Sequence, residues 1–314
     1  MFGYRSDGGS RVGRSSSKLL TDARGVVVQI GLATPRRLWF QEDKTLVPEG
    51  EGLGVTVHDF SSLDGRTILI TGGAGHIGGA LTKAFLDKGS RVATADVTTT
   101  SAIGLSEKDN HCHFVVDLSD PVVAAELVDQ VIDRFERLDV VVTAASWMGT
   151  STTPGWNAPF EDQDVSLWPE VLSLGVTANF ELVRRARTAL SANGCGSVVF
   201  ISSLYGFCAP QPAMYVDTDV NNLAGYAVSK GALTQLARWL STTMAPEVRV
   251  NALSPGGVFR DQEPDFVRRY EDLTPLGRMA TEDDLIGPTL FLASDLSRYV
   301  TGHNLIVDGG FSVW

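Results

Sequence analysis

Cysteine is scarce in this chain. Cys112, Cys195 and Cys208 are three in 314 residues, and their scatter excludes a disulfide framework, so a reducing, cytoplasmic setting is expected. Positive charge is short as well: 26 Lys and Arg stand against 37 Asp and Glu, for a net charge of −11. That balance argues against nucleic acid or an anionic membrane surface as a partner. No apolar run approaches the ~20 residues of a bilayer span, so no membrane helix is expected. What remains is ordinary globular material, 43% hydrophobic and 20% charged, with glycines clustered where they carry information.

Residues 1–60 have little to bury. The opening "MFGYRSDGGSRVGRSSSK" is rich in Gly, Ser and Arg and reads as disordered. "RGVVVQIGLATP" reads as a short strand or as the apolar stretch of a signal peptide. The run is short, nothing else suggests export, and Asp7 and Asp22 fit a transit peptide poorly. We therefore read 1–60 as a largely irregular accessory arm and 61–314 as one domain.

From residue 65 the pattern becomes regular. "RTILITG", "RVATADV", "HCHFVVDL", "DVVVTAAS", "GSVVFISS", "VRVNALSPGG" and "NLIVDGG" read as strands. Amphipathic stretches alternate with them: 77–89, 121–138, about 166–192, 223–244 and 281–293. This alternation predicts an α/β fold, a single doubly wound parallel sheet with helices on both faces and its ligand at the carboxyl ends of the strands.

"ITGGAGHIGGA" (70–80) lies where the first strand hands over to the first helix. A Gly-rich turn there lets backbone approach a pyrophosphate, and the helix N-terminus offers unpaired N–H groups. Gly72, Gly75 and Gly78 are the candidate cradle. Asp96 ends the second strand 18 residues past Gly78, placed to accept hydrogen bonds from ribose hydroxyls. Its charge repels a 2′-phosphate, so NAD is favoured over NADP. Asp117 ends the third strand near the expected adenine. Each Asp alone is equally a helix cap or turn residue; together with the glycines they favour the cofactor.

These features, with Tyr226-Ala-Val-Ser-Lys230, "FISSLYG", "VRVNALSPGG" and the tail "PLGRMATEDDLIGPTLFLASDLSRYVTGHNLIVDGG", resemble the short-chain dehydrogenase/reductase family over residues 60–314. Within it, "SSLYGFCAPQPAMY…AGYAVSKGAL" and "LSPGGVF…FVRRYEDLTPLGRMA" are most similar to the flagellin-modification protein A subgroup of amino-sugar (legionaminic-acid-type) dehydrogenases. The resemblance implies a Rossmann-type fold, Ser203, Tyr226 and Lys230 as catalytic residues, and a homotetramer or homodimer. For the cofactor it implies Gly72, Gly75, His76, Ile77, Gly78, Asp96, Asp117, Leu118, Ala144, Pro255, Gly256 and Val258, with Tyr226 and Lys230.

Tyr226 and Lys230 are four apart on a helix and share a face. The ammonium and an oxidised nicotinamide favour the phenolate, letting Tyr226 take an alcohol proton as hydride leaves, or donate one to a ketone. Tyr215 stands nearer Ser203 in sequence, but the residue four past it is Asp219, which opposes the phenolate. "QPAMYVDTDVNN" therefore reads as an insertion beside the site. Several family positions depart from the pattern. Asn-Asn-Ala-Gly is replaced by Thr143-Ala144-Ala145-Ser146, and the relay Asn falls at Gly175, with Asn179 one turn later. The Thr after Pro-Gly is replaced near Phe259 and Arg260, and His76 stands where a shorter branch of the family has Gly.

Trp147, Trp156 and Phe160, with Tyr205, Tyr215, Asp217, Asp219, Asn221 and Asn222, offer aromatic faces and polar groups suited to a sugar, or to nothing beyond ordinary loop composition. "FRDQEPDFVRRYEDLTP" reads as a mobile lid, whose Arg260, Arg268 and Arg269 meet a substrate phosphate or pair with neighbouring acids. His111-Cys112-His113 alternates along a strand without a further ligand, so no metal is expected. The function expected is an NAD(H)-dependent oxidoreductase interconverting a secondary alcohol and a ketone on a sugar-like small molecule. A lipid or aromatic ketone, or a non-catalytic cofactor-binding homologue, stays open.

Overall fold

A computed structural model describes residues 17–21, 27–31, 59–99, 110–147, 153–218 and 221–314. The chain separates into two units, Met1–Val57 and His58–Trp314. In the first, β1 (Ser17–Thr21) pairs antiparallel with β2 (Val27–Gly31). Disorder is expected from the sequence for residues 1–18; Ser17 and Lys18 stand in β1 instead, their backbone paired with β2, and 1–16 lie outside the described residues.

The second unit opens its sheet with β3 (Thr67–Thr71), whose five residues are all buried. Then come α1 (His76–Asp87), β4 (Arg91–Asp96), β5 (His111–Val115) and α2 (Pro121–Phe135). The start of α2 is set by Asp120, whose carboxylate accepts from the Val122 N–H at 2.8 Å, and by Pro121 at the first helical position. β6 (Val140–Thr143), α3 (Trp168–Leu172), α4 (Ala178–Ser191), β7 (Gly196–Ile201) and α5 (Ala224–Met244) follow. β8 (Val248–Pro255), α6 (Pro264–Leu273), α7 (Asp283–Ala293) and β9 (Asn304–Val307) complete the series.

The seven strands run parallel in the order β5-β4-β3-β6-β7-β8-β9. Strand order reverses between β3 and β6, where a doubly wound sheet binds its ligand. The strands are apolar on both faces because each face is covered by helices. Leu69, Val141, Val198 and Phe200 point to a layer with residues of α2, α4 and α5. Ile68, Ile70, Val140, Val142 and Val199 point the other way, toward α1 and α7.

Two departures from the sequence expectation bear on the site. The helix expected over 166–192 is interrupted by a π-helical turn, Ser173–Thr177, between α3 and α4. Gly175 sits in that turn against α5: a Cβ there would lie 3.1 Å from the Ser229 Cβ. Asn179 is buried, and its amide donates to the Gly175 carbonyl at 2.9 Å. It closes the opened backbone and so does not stand in for the relay Asn.

At the end of β6, Thr143 is 1% exposed and its hydroxyl finds no partner. Thr143→Val keeps the shape and removes the orphaned group. Its melting temperature is expected to equal or exceed the wild type's; a fall of several degrees would show that the hydroxyl is bonded after all.

Candidate active site

The carboxyl ends of the central strands open on a cavity of about 520 Å³. At one side lies the turn from β3 into α1. Gly72 has φ +70°, and a Cβ on it would lie 2.7 Å from the Ala145 nitrogen. A Cβ on Gly78 would lie 2.1 Å from the Gly72 carbonyl oxygen, so only glycine keeps turn and helix this close. The N-terminus of α1, with Gly75 at the cap position, has no side-chain cap and no acid in its first turn. Gly72, Gly75, His76, Ile77 and Gly78 line the cavity together with Ala144, Pro255, Gly256 and Val258.

A smaller cavity of about 200 Å³ shares Gly72, Gly75, Ala144 and Ser146 with the first and extends to Asp96, Asp117 and Leu118. One oxygen of Asp96 accepts from the Ala74 N–H at 3.2 Å, and the other from Thr98. That first bond ties the acid to the glycine turn. Asp117 accepts from the Ser119 N–H at 2.9 Å in a local turn, and its side chain is exposed.

On the other side of the large cavity stand Ser203, Tyr226 and Lys230. Ser203 follows β7 and accepts from the Tyr205 N–H at 3.2 Å. Tyr226 lies in the first turn of α5, its phenol hydrogen-bonded to Ser203. Lys230 is one turn further on, 3% exposed; its Nζ donates to the Ile201 carbonyl at 2.9 Å and lies 5.5 Å from the centre of the Tyr226 ring. Burial brings the Lys230 ammonium down to about 8. Burial also holds the Tyr226 phenol above its ordinary value, with the Ser203 hydrogen bond pulling the other way. The expected lowering is thus outweighed by desolvation, which adjacency in sequence does not reveal, and the group that opposes desolvation is Ser203.

The outer part of the cavity is built by the insertion and the segment after β8. Tyr205 and Tyr215 meet hydroxyl to hydroxyl, and Asn222 bonds Tyr205. Asn221 and Asn222 line the cavity; Asp217 does not, and Asp219 lies outside the described residues. Residues 264–273, expected as part of a mobile lid, form the helix α6, with Phe266 and Tyr270 buried. Phe266 packs on Tyr215 with ring centres 5.9 Å apart, and the Tyr270 hydroxyl accepts from the Gly257 N–H at 2.5 Å. Phe266, Tyr270 and Gln262 line the cavity unforeseen; the four-residue spacing of Phe266 and Tyr270 on an otherwise charged segment was the available signal.

Three aromatic substrate candidates, Trp147, Trp156 and Phe160, need correction. Trp147 does not line the cavity: it packs edge-on against Trp156 at 4.5 Å, and Trp156 is 5% exposed. Phe160 is 81% exposed and also outside the lining. Of the arginines, only Arg260 reaches the cavity, where it pairs with Glu282 at 2.5 Å. Arg268 pairs with Asp265, and Arg269 donates to the Met214 and Val216 carbonyls. His111 and His113 both meet the Thr94 hydroxyl, on the face opposite buried Cys112. Among the described residues no group of three or more His, Cys, Asp or Glu is arranged to hold a metal.

The turn, the bare helix start and the tethered acid fit a dinucleotide: small residues where a pyrophosphate needs room, free N–H groups for its charge and a carboxylate for a ribose. Comparison with known proteins points the same way. A family model described as enoyl-(acyl carrier protein) reductase matches residues 72–312. Sorbose reductase from Schizosaccharomyces pombe is 31% identical over 80% of this chain and 97% of its own. A short-chain dehydrogenase structure from Leptospira borgpetersenii, with bound NAD+, is 29% identical, covers 84% of this chain and all of its own, and has a TM-score of 0.74. A structure from Beutenbergia cavernae with NADP at low occupancy is 30% identical over 82% of this chain and all of its own, with a TM-score of 0.68. With the parallel sheet, the glycine turn and the Tyr-Lys helix converging on one cavity, the chain belongs to the short-chain dehydrogenase/reductase family.

Proposed function

We propose that this protein is an NAD(H)-dependent oxidoreductase that interconverts a secondary alcohol and a ketone on a sugar or polyol, with Tyr226 as acid/base. The observation that carries it is the single cavity shared by the glycine turn and by Ser203, Tyr226 and Lys230. A nicotinamide cofactor, when bound, supplies or accepts the hydride. Gly72, Gly75, His76, Ile77 and Gly78 hold its pyrophosphate, and Asp96 and Asp117 its adenosine end. Pro255, Gly256 and Val258 border the nicotinamide end.

The chain's own residues manage the proton. Ser203 orients the substrate oxygen, and the Tyr226 hydroxyl donates to that oxygen in the ketone direction and accepts from it in the alcohol direction. Lys230, fixed on the Ile201 carbonyl, places positive charge beside the phenol and favours the phenolate that the alcohol direction needs. Tyr205, Tyr215 and Asn222 offer hydroxyl and amide groups of the kind that read a polyol. The sorbose relative supports that substrate class, and the likeness to the flagellin-modification subgroup adds amino sugars to the panel. Turnover of ketoses, polyols and amino sugars, against lipid and aromatic ketones, tests the reading. No turnover on any of them, with NADH bound, favours a non-catalytic homologue, the reading that Gly175 in place of the relay Asn keeps in view.

The preference for NAD rests on Asp96. Asp96→Ser removes the carboxylate that repels a 2′-phosphate, and fluorescence titration is expected to show weaker NADH binding and tighter NADPH binding. A wild type that binds NADPH better would overturn the argument.

A further inference from the structure

Helix α5 carries Tyr226 and Lys230, yet its own sequence does little to fasten its start. Leu223 occupies the cap position and has no side-chain oxygen to offer. The fastening comes from Gln163, 61 residues earlier. Its Oε1 accepts from the Ala224 N–H at 3.1 Å, and its Nε2 donates to the Asn222 carbonyl at 2.8 Å and to Ala158 at 3.3 Å. One planar amide therefore grips the chain on both sides of Leu223 and also holds its own loop. Asn157 adds a second stitch between the same segments, accepting from the Asn221 N–H at 2.9 Å.

Both gripped residues lead into the cavity. Tyr226 is two residues past Ala224, within the turn where an uncapped helix frays. Asn222 lines the cavity and bonds Tyr205, whose hydroxyl meets Tyr215. Gln163 is not among the lining residues, so it acts through the groups that it holds.

We propose that Gln163 is a positioning residue: its amide sets the first turn of α5, and with it the place of the Tyr226 phenol, and through Asn222 it sets the Tyr205–Tyr215 pair. The proposal rests on Tyr226 being the acid/base. A displacement of about 1 Å at a reacting group costs up to ~100-fold in rate, so a helix start released by even part of that distance is visible in kcat.

The test uses Gln163→Ala and Gln163→Glu in the full chain, beside wild type and Tyr226→Phe. Sorbose with NADH is the first probe, followed by whichever panel ketose turns over best. Gln163→Ala is expected to lower kcat about tenfold and raise the ketose KM. NADH affinity should hold, because the glycine turn and Asp96 stand on other elements. The pH limb governed by Tyr226 should move upward, since a phenol drawn off Ser203 loses the bond that favours its anion. Gln163→Glu keeps the acceptor for Ala224 but sets an acceptor against the Asn222 carbonyl; part of kcat should return while KM stays raised. Unchanged kcat and pH profile in Gln163→Ala overturn the proposal. So does an equal loss of NADH affinity and melting temperature, the mark of a general structural role. Full activity in Tyr226→Phe overturns the acid/base reading itself, and is told apart because that variant keeps Gln163.

Discussion

Tyr226→Phe is expected to lose ~10²- to 10⁴-fold in kcat while binding NADH as the wild type does. The substitution removes one hydroxyl and little else. That hydroxyl is the group placed against Ser203 at the cavity, and the ring it leaves stays packed one turn from Lys230. The cofactor cradle stands on β3, α1 and β4, away from the change. Steady-state turnover with a panel ketose, paired with fluorescence titration of NADH, separates chemistry from binding. Equal losses in both would mean that Tyr226 holds the cofactor rather than moves a proton. Retained turnover would pass the role to another of the phenols lining this cavity, Tyr205, Tyr215 or Tyr270.

Gly78→Ala should act on binding instead. The added Cβ would sit 2.1 Å from the Gly72 carbonyl oxygen, a backbone atom that can yield only if the turn itself shifts. Overpacking of this kind costs about 1–3 kcal/mol, and it falls on the turn proposed to cradle the pyrophosphate. NADH affinity is expected to drop at least ~10-fold, with roughly 1.4 kcal/mol for each factor of ten. Gly287→Ala is the control: it lies within α7 with nothing near its Cβ position, so stability and NADH binding should hold or improve slightly. An unchanged NADH affinity in Gly78→Ala would show that the cofactor does not rest on this turn.

Much of this was legible along the chain because it depends on local order. Strand and helix periods alternate from residue 65, and that alternation carries the doubly wound sheet without any knowledge of contacts. The glycine turn between β3 and α1 is readable because a tight turn constrains its own residues. Tyr226 and Lys230 share a helix face because four residues make about one turn.

Tertiary structure decided the rest, in each case through a partner far along the chain. Trp147 packs edge-on against Trp156 and does not line the cavity. Asn179 was committed to the π-helical turn, where its amide donates to the Gly175 carbonyl and Gly175 sits close against Ser229 of α5. Burial pushes the Tyr226 phenol up and the Lys230 ammonium down, which no spacing rule states. The start of α5 is held by Gln163, because a chain-distant amide met two backbone groups that the local sequence left without a side-chain cap. The sequence by itself determined which chemistry is gathered at the end of the sheet; folding determined how each group is charged, held and aimed, since desolvation and packing exist only once distant residues meet.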